Sequence, residues 1–112
     1  MQHRDKIILQ KIVSEIDIGR QMLAGNNLEE FLDNEMLKRA IGMTVINIGE
    51  LVKNITQDLK DAHREIPWRA IAGMRDVTAH KYQTLRREDV FSTCKDDLPA
   101  FEKQIAKLIS EE

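Results

Sequence analysis

The chain has one cysteine, two prolines, one tryptophan, one tyrosine and no long apolar run among its 112 residues. A single thiol, Cys94, cannot form an internal disulfide, and its apolar helical position predicts a buried, reduced side chain in a cytoplasmic protein. No apolar stretch is long enough to span a bilayer, so no membrane partner is expected. Residues 1–5 carry none of the apolar character of a secretory signal. His3, His63 and His80 share no ligand spacing with one another or with Cys94, so neither a metal nor a cofactor is expected. Gly73 stands alone inside a helical pattern and does not make a phosphate-cradling loop. No serine has the strand-turn-helix setting of a nucleophile elbow. Repeats, low-complexity stretches and strand patterns are missing as well.

What is present belongs to a folded domain. Hydrophobic residues make up 42% and charged residues 32% of the chain, and this length predicts a single domain over residues 1–112. The net charge of −2 argues against nucleic-acid binding by the whole surface. The charge is unevenly spread, however. Residues 61–87 carry Arg64, Arg69, Arg75, Lys81, Arg86 and Arg87 against Asp61, Glu65 and Asp76, a local +3, while the rest of the chain sums to −5. An anionic ligand would be steered to that region, although solvated helix charges explain the same pattern.

Helical periods cover most of the sequence. Ile8, Ile12, Ile16, Gly19 and Met22 predict an amphipathic helix over about residues 3–24. Gly25-Asn26-Asn27 reads as a turn, with Asn27 capping a short helix over Leu28 to Leu32. Leu37, Ile41, Thr44, Ile48, Leu51 and Ile55 alternate spacings of four and three, the seven-residue repeat of antiparallel bundle packing. Gly42 and Gly49 flank that seam and permit another helix to approach closely. Residues 59–66 read as a polar loop, and Pro67 suits the first turn of the next helix. Trp68, Ile71, Met74 and Thr78 form its apolar stripe. Thr84 to Glu88 reads as a charged turn. Phe91, Cys94, Leu98, Phe101, Ile105 and Leu108 mark a last helix, with a kink expected at Pro99. The expected fold is all-α, an up-and-down bundle of four main helices plus a short one.

The residues able to carry chemistry cluster in Arg75-Asp76-Val77-Thr78-Ala79-His80-Lys81-Tyr82. On a helix, Tyr82 falls within about 20° of Arg75, and Asp76 and His80 share a stripe four residues apart. Asp76 is then placed to hold one imidazole nitrogen and orient the other. Arg75 and Tyr82 lie at the margin of the apolar stripe, while Asp76 and His80 face away from it. On spacing alone two accounts stand. The commoner arrangement makes Arg75, Asp76 and His80 ordinary surface residues, with Tyr82 covering the bundle end. The other makes the segment a site.

The pattern Arg75-x4-His80-x-Tyr82 resembles the signature of the HEPN superfamily, specifically its HepT-type ribonuclease toxins. Leu28-Glu29-Glu30-Phe31-Leu32, Ile48-Gly49-Glu50, Ile66-Pro67-Trp68, Gly73-Met74-Arg75 and the Asp97-Leu98-Pro99 kink add to the resemblance, which spans nearly the whole chain. It implies a HEPN-like bundle that forms a two-fold homodimer and brings two motifs together. It also implies a toxin–antitoxin pair whose partner is a minimal nucleotidyltransferase antitoxin, with RNA as substrate. Arg75 and His80 take the catalytic roles, supported by Asp76 and Tyr82. Metal-independent cleavage through the 2′-hydroxyl needs a base, an acid and cationic stabilisation of the phosphorane. A dimer supplies His80 and its mate, with paired Arg75 guanidiniums on the phosphate. Tyr82 is implied as the acceptor of AMP from the antitoxin. One residue departs from the pattern. The family more often has Asn where this chain has Asp76, whose charge opposes phosphate and favours a charged His80.

Three functions are therefore in play. The first is a ribonuclease toxin. The second is a non-catalytic nucleotide- or substrate-binding subunit for a minimal nucleotidyltransferase. The third is a helical dimerisation module with no ligand.

Overall fold

A computed structural model describes residues 1–80 and 86–111, the side chains of residues 77–80 apart. The helices are α1 (His3–Leu23), α2 (Leu28–Asp33), α3 (Glu35–Lys53), α4 (Gln57–Ala62), α5 (Trp68–His80), α6 (Arg87–Ser92) and α7 (Leu98–Ser110), with a π-helical turn at Thr93–Asp97 joining the last two. Among the described residues there is no strand, and no helix is long and apolar enough to cross a membrane. The all-α bundle is as the periodicities predict. The long elements are α1, α3, α5 and the α6–α7 unit.

The chain reversals follow from local chemistry. Gly25 has φ 78°, a left-handed conformation that glycine adopts without strain from a Cβ. Two residues on, Asn27 opens α2 with a reciprocal capping box. Its Oδ1 accepts from the Glu30 N–H at 2.8 Å, and Glu30 Oε1 accepts from the Asn27 N–H at 3.1 Å, satisfying two donors the helix would otherwise orphan. Asn34 caps α3 through Leu37 N–H at 3.0 Å. Thr56 caps α4 through Leu59 N–H at 3.3 Å.

Helix α4 corrects the sequence reading, which made residues 59–66 a loop. Its six residues are too few to show an amphipathic period, so Leu59 is its one buried side chain. What fixes it is a tertiary contact. Asp5, 1% exposed, accepts from the Thr56 N–H at 3.0 Å and from its hydroxyl at 2.5 Å. A buried carboxylate thus receives two hydrogen bonds and ties the start of α1 to the α3–α4 junction.

The core is formed by Leu9, Ile12 and Ile16 of α1, Ile41, Ile48 and Val52 of α3, and Phe101 and Ile105 of α7, with Phe31 from α2. Two stripes are rotated relative to expectation. On α1, Leu9 and Leu23 are buried while Ile8 and Met22 sit at the rim. On α3, Val45 and Val52 are buried, whereas Leu37 and Leu51 are only partly so. The buried residues keep the seven-residue spacing, Leu9, Ile16 and Leu23 on α1 and Val45 and Val52 on α3, on a face turned slightly from the expected one. Pro99 lies in the first turn of α7. The break expected there takes the form of the π turn, with the Leu98 N–H donating to the Thr93 carbonyl. Pro99 has no N–H for the usual bond, and the wider turn precedes it. Phe91, Cys94, Leu98, Phe101, Ile105 and Leu108 all remain buried through it.

Candidate functional site

Helix α5 is held at its start by aromatic packing and along its length by α3, the most extensive helix pairing in the fold. Trp68 is 6% exposed, donates its indole N–H to the His63 carbonyl at 2.9 Å and meets the Phe101 ring edge-on at 6.1 Å. Pro67 falls one residue before α5, its carbonyl accepting from the Ile71 N–H at 3.1 Å. Trp68 and Ile71 are buried as expected.

Further along α5, Arg75 lies directly over Gly49 of α3. A Cβ added at Gly49 would stand 3.0 Å from the Arg75 nitrogen and 3.1 Å from its Cα, and would collide with its Cβ. The close approach suspected from Gly49 is therefore real, and the helix it admits is α5 at Arg75. Gly42 is buried on the same helix.

The approach builds a small charge array. Glu50 Oε2 lies 3.1 Å from Arg75 Nε, an ion-pair distance without the alignment of a hydrogen bond, which leaves the buried Nε–H unsatisfied. Arg75 Nη1 donates to Asp76 Oδ1 at 3.3 Å. The same oxygen accepts from Lys53 Nζ at 2.8 Å. Two residues from α3 and two from α5 thus alternate in sign. The Asp76 carboxyl is held below its ordinary range, chiefly by the hydrogen bond from Lys53 against a smaller opposing effect of desolvation. It is a carboxylate near neutrality. The Arg75 side chain is 31% exposed, covered enough to be oriented and open enough to reach a ligand.

Of the four residues singled out in the sequence, Arg75 and Asp76 are placed side by side. His80 ends α5, so the helix carries Arg75, Asp76 and His80 in one backbone register; the His80 side chain lies outside the described part. Tyr82 lies outside the described residues altogether. The expected grip of Asp76 on His80 therefore stays an expectation, while the structure supplies Lys53 and Arg75 as partners of its Oδ1. Glu50 and Lys53 had no assigned role in the sequence reading. Glu50 was visible only as part of Ile48-Gly49-Glu50, and no local pattern marks Lys53. Among the described residues no group of three His, Cys, Asp or Glu side chains is placed to hold a metal ion.

A family model described as ribonuclease HepT-like matches residues 12–108. Among curated relatives, a candidate RNase of Caldanaerobacter subterraneus subsp. tengcongensis is 31% identical over 104 residues, 93% of each chain. Another from Methanocaldococcus jannaschii is 33% identical over 112 residues, covering 99% of this chain and 97% of the relative. A protein of Thermococcus cleftensis described as a probable ribonuclease HepT is 32% identical over 108 residues, covering 96% and 98%. No solved structure gives a significant match.

Proposed function

Since the chain belongs to the HepT-like ribonuclease family of the HEPN superfamily, we propose that it is the toxin of a toxin–antitoxin pair, an endoribonuclease with a composite Arg75/His80 site across a homodimer. The observation that carries this reading is Arg75 itself. It is half-buried over Gly49, oriented by Glu50 and Asp76, and borne on the helix that runs on to His80.

In the proposed reaction one imidazole takes the proton of a ribose 2′-hydroxyl, and the oxygen attacks the adjacent phosphorus. The P–O5′ bond breaks, and the second His80 returns a proton to the departing 5′-oxygen. The products are a 2′,3′-cyclic phosphate and a 5′-hydroxyl. Arg75 from each protomer stabilises the charge that builds on the equatorial oxygens. No step requires a metal ion.

A strip on α3 supports the two-fold arrangement. Met36 and Met43 are 83% and 56% exposed and lie seven residues apart, with Glu50 seven further on. These three share one face of α3, so an uncovered apolar strip leads to the Glu50–Arg75 pair. A second copy covering it would set two Arg75 residues near one another.

The partner in this reading is a minimal nucleotidyltransferase antitoxin. It would transfer AMP from ATP to the Tyr82 hydroxyl, forming a phosphodiester and releasing pyrophosphate. The adduct brings negative charge and bulk to the site and competes with RNA. The toxin role places the protein in the cytoplasm, as a single domain over residues 1–112. A second reading draws on the charge balance, because Glu50 and Asp76 offset Arg75 and Lys53. Cations offset in this way stabilise a phosphorane less strongly, which leaves room for a non-catalytic nucleotide- or substrate-binding subunit of the same partner.

The test is cleavage of a mixed RNA pool by the purified protein. Wild type should cleave and arrest growth, and Arg75→Ala and His80→Ala should do neither while remaining folded. Co-expression with the nucleotidyltransferase and ATP should add AMP to the Tyr82 peptide, seen by tandem mass spectrometry. Nucleotide binding without RNA cleavage by wild type would favour the second reading.

A further inference from the structure

Beside the charge array a groove of about 650 Å³ runs between α4 and the first turns of α5. Lys60, Arg64 and Arg69 line it together with Lys53 and Asp76, the last bonded to Arg75. Four cations face two carboxylates there. Asp76 is taken up by Lys53 at 2.8 Å, and Asp61 by Gln57 at 2.9 Å and Arg64 at 3.7 Å. Lys60 and Arg69 line the groove with no carboxylate partner among the described residues. The groove is therefore cationic in a chain whose net charge is −2.

Its floor is unusually low. Pro67, Ala70, Ala72 and Gly73 contribute little side-chain bulk. Glycine inside a helix costs about 1 kcal/mol relative to alanine. At Gly73 packing within the chain does not demand it, for an added Cβ would meet nothing within 4 Å.

We propose that this groove is a binding track for the phosphodiester backbone of single-stranded RNA, feeding the strand toward Arg75. A groove of this volume, lined by cations from both sides, suits the backbone of one strand. From Arg69 to Asp76 the helix rises about 10 Å, so a strand lying on the floor reaches the Arg75 guanidinium without turning. Lys60 and Arg69 neutralise phosphates beyond the one being cleaved, and contribute to affinity without taking part in bond making. This assignment rests on the ribonuclease reading and names the part of the substrate that the site holds outside the reacting bond.

The test is fluorescence anisotropy of a labelled single-stranded RNA of about ten nucleotides on the intact protein carrying His80→Ala, with and without Lys60→Gln/Arg69→Gln. Losing two phosphate contacts should weaken binding about tenfold at physiological salt. It should also reduce the slope of log K against log salt by about 1.4. In the otherwise wild-type protein, cleavage of a dinucleotide too short for the groove should be unchanged by the double substitution. Gly73→Leu, which fills the floor without altering charge, should weaken the long RNA and spare the dinucleotide. Unchanged long-RNA affinity and slope would overturn the track. So would a parallel loss of dinucleotide cleavage, or a loss confined to binding of a protein partner. If wild type neither binds nor cleaves any RNA, the ribonuclease reading fails first and the track falls with it.

Discussion

Gly49 and Arg75 are in backbone contact. A methyl group at position 49 would lie 3.0 Å from the Arg75 nitrogen, so the depth at which α5 packs on α3 is set by the absence of a side chain at Gly49. Substitution there acts on fold and site together. Gly49→Ala should push α5 outward and cost about 1–3 kcal/mol, as overpacking does, measured as a lower denaturant midpoint. Alanine's better helix propensity offsets at most about 1 kcal/mol of this. RNA cleavage should fall further than the unfolded fraction explains, because Arg75 moves away from Glu50.

The core of α3 separates two neighbouring candidates. Ile48 is fully buried, whereas Leu51 packs at the rim. Ile48→Ala should therefore cost about 2–5 kcal/mol. Leu51→Ala, expected from the seven-residue seam to be equally severe, should cost clearly less. Urea denaturation of both proteins checks the order.

How far the sequence carried can be judged from such pairs. The long helices were legible because Ile12 and Ile16, then Ile41, Thr44 and Ile48, and then Phe101 and Ile105 recur at threes and fours, and all are buried. The capping role of Asn27 was legible because capping is local. Helix α4 was not, since a six-residue helix has no period to read and depends on Asp5, 51 positions away from Thr56. The site divides in the same way. Arg75 and Asp76 were visible as residue types at a spacing, and Gly49 as a gap awaiting a helix. The pairing of Glu50 and Lys53 with them joins two helices and has no local trace.

Asp76 offers a charge test. Its carboxyl is held below the ordinary value by Lys53, then by Arg75, so it stays ionised well below neutrality. A depressed carboxyl supports the array above the normal carboxylate range and loses that effect as pH falls through the folded value. Wild-type RNA affinity should therefore show no Asp76 titration between pH 5 and 8. Asp76→Asn should tighten RNA binding about threefold at low salt, with the gain fading as salt screens it. Anisotropy across a salt series measures this; weaker binding by the Asn variant would mean that the carboxylate serves to hold Lys53 and Arg75 in place.

Cys94 is 3% exposed, and burial pushes its thiol up to about 12. A raised thiol favours the folded state below the ordinary value of 9.0, and that contribution is lost as pH rises through the folded value. At pH 8 a disulfide reagent should react with native protein only as fast as the bundle opens, and immediately in denaturant. Rapid stoichiometric labelling of native protein would show that the region of the π turn opens freely.

The composite site is tested most directly by RNA cleavage from mixed dimers, one protomer wild type and the other His80→Ala, purified through two different tags. If one imidazole acts as base and its mate as acid, these dimers should retain far less than half of the wild-type rate, close to that of the doubly substituted protein. Mixed dimers cleaving at half the wild-type rate would mean that each protomer works alone, and would contradict the two-histidine account.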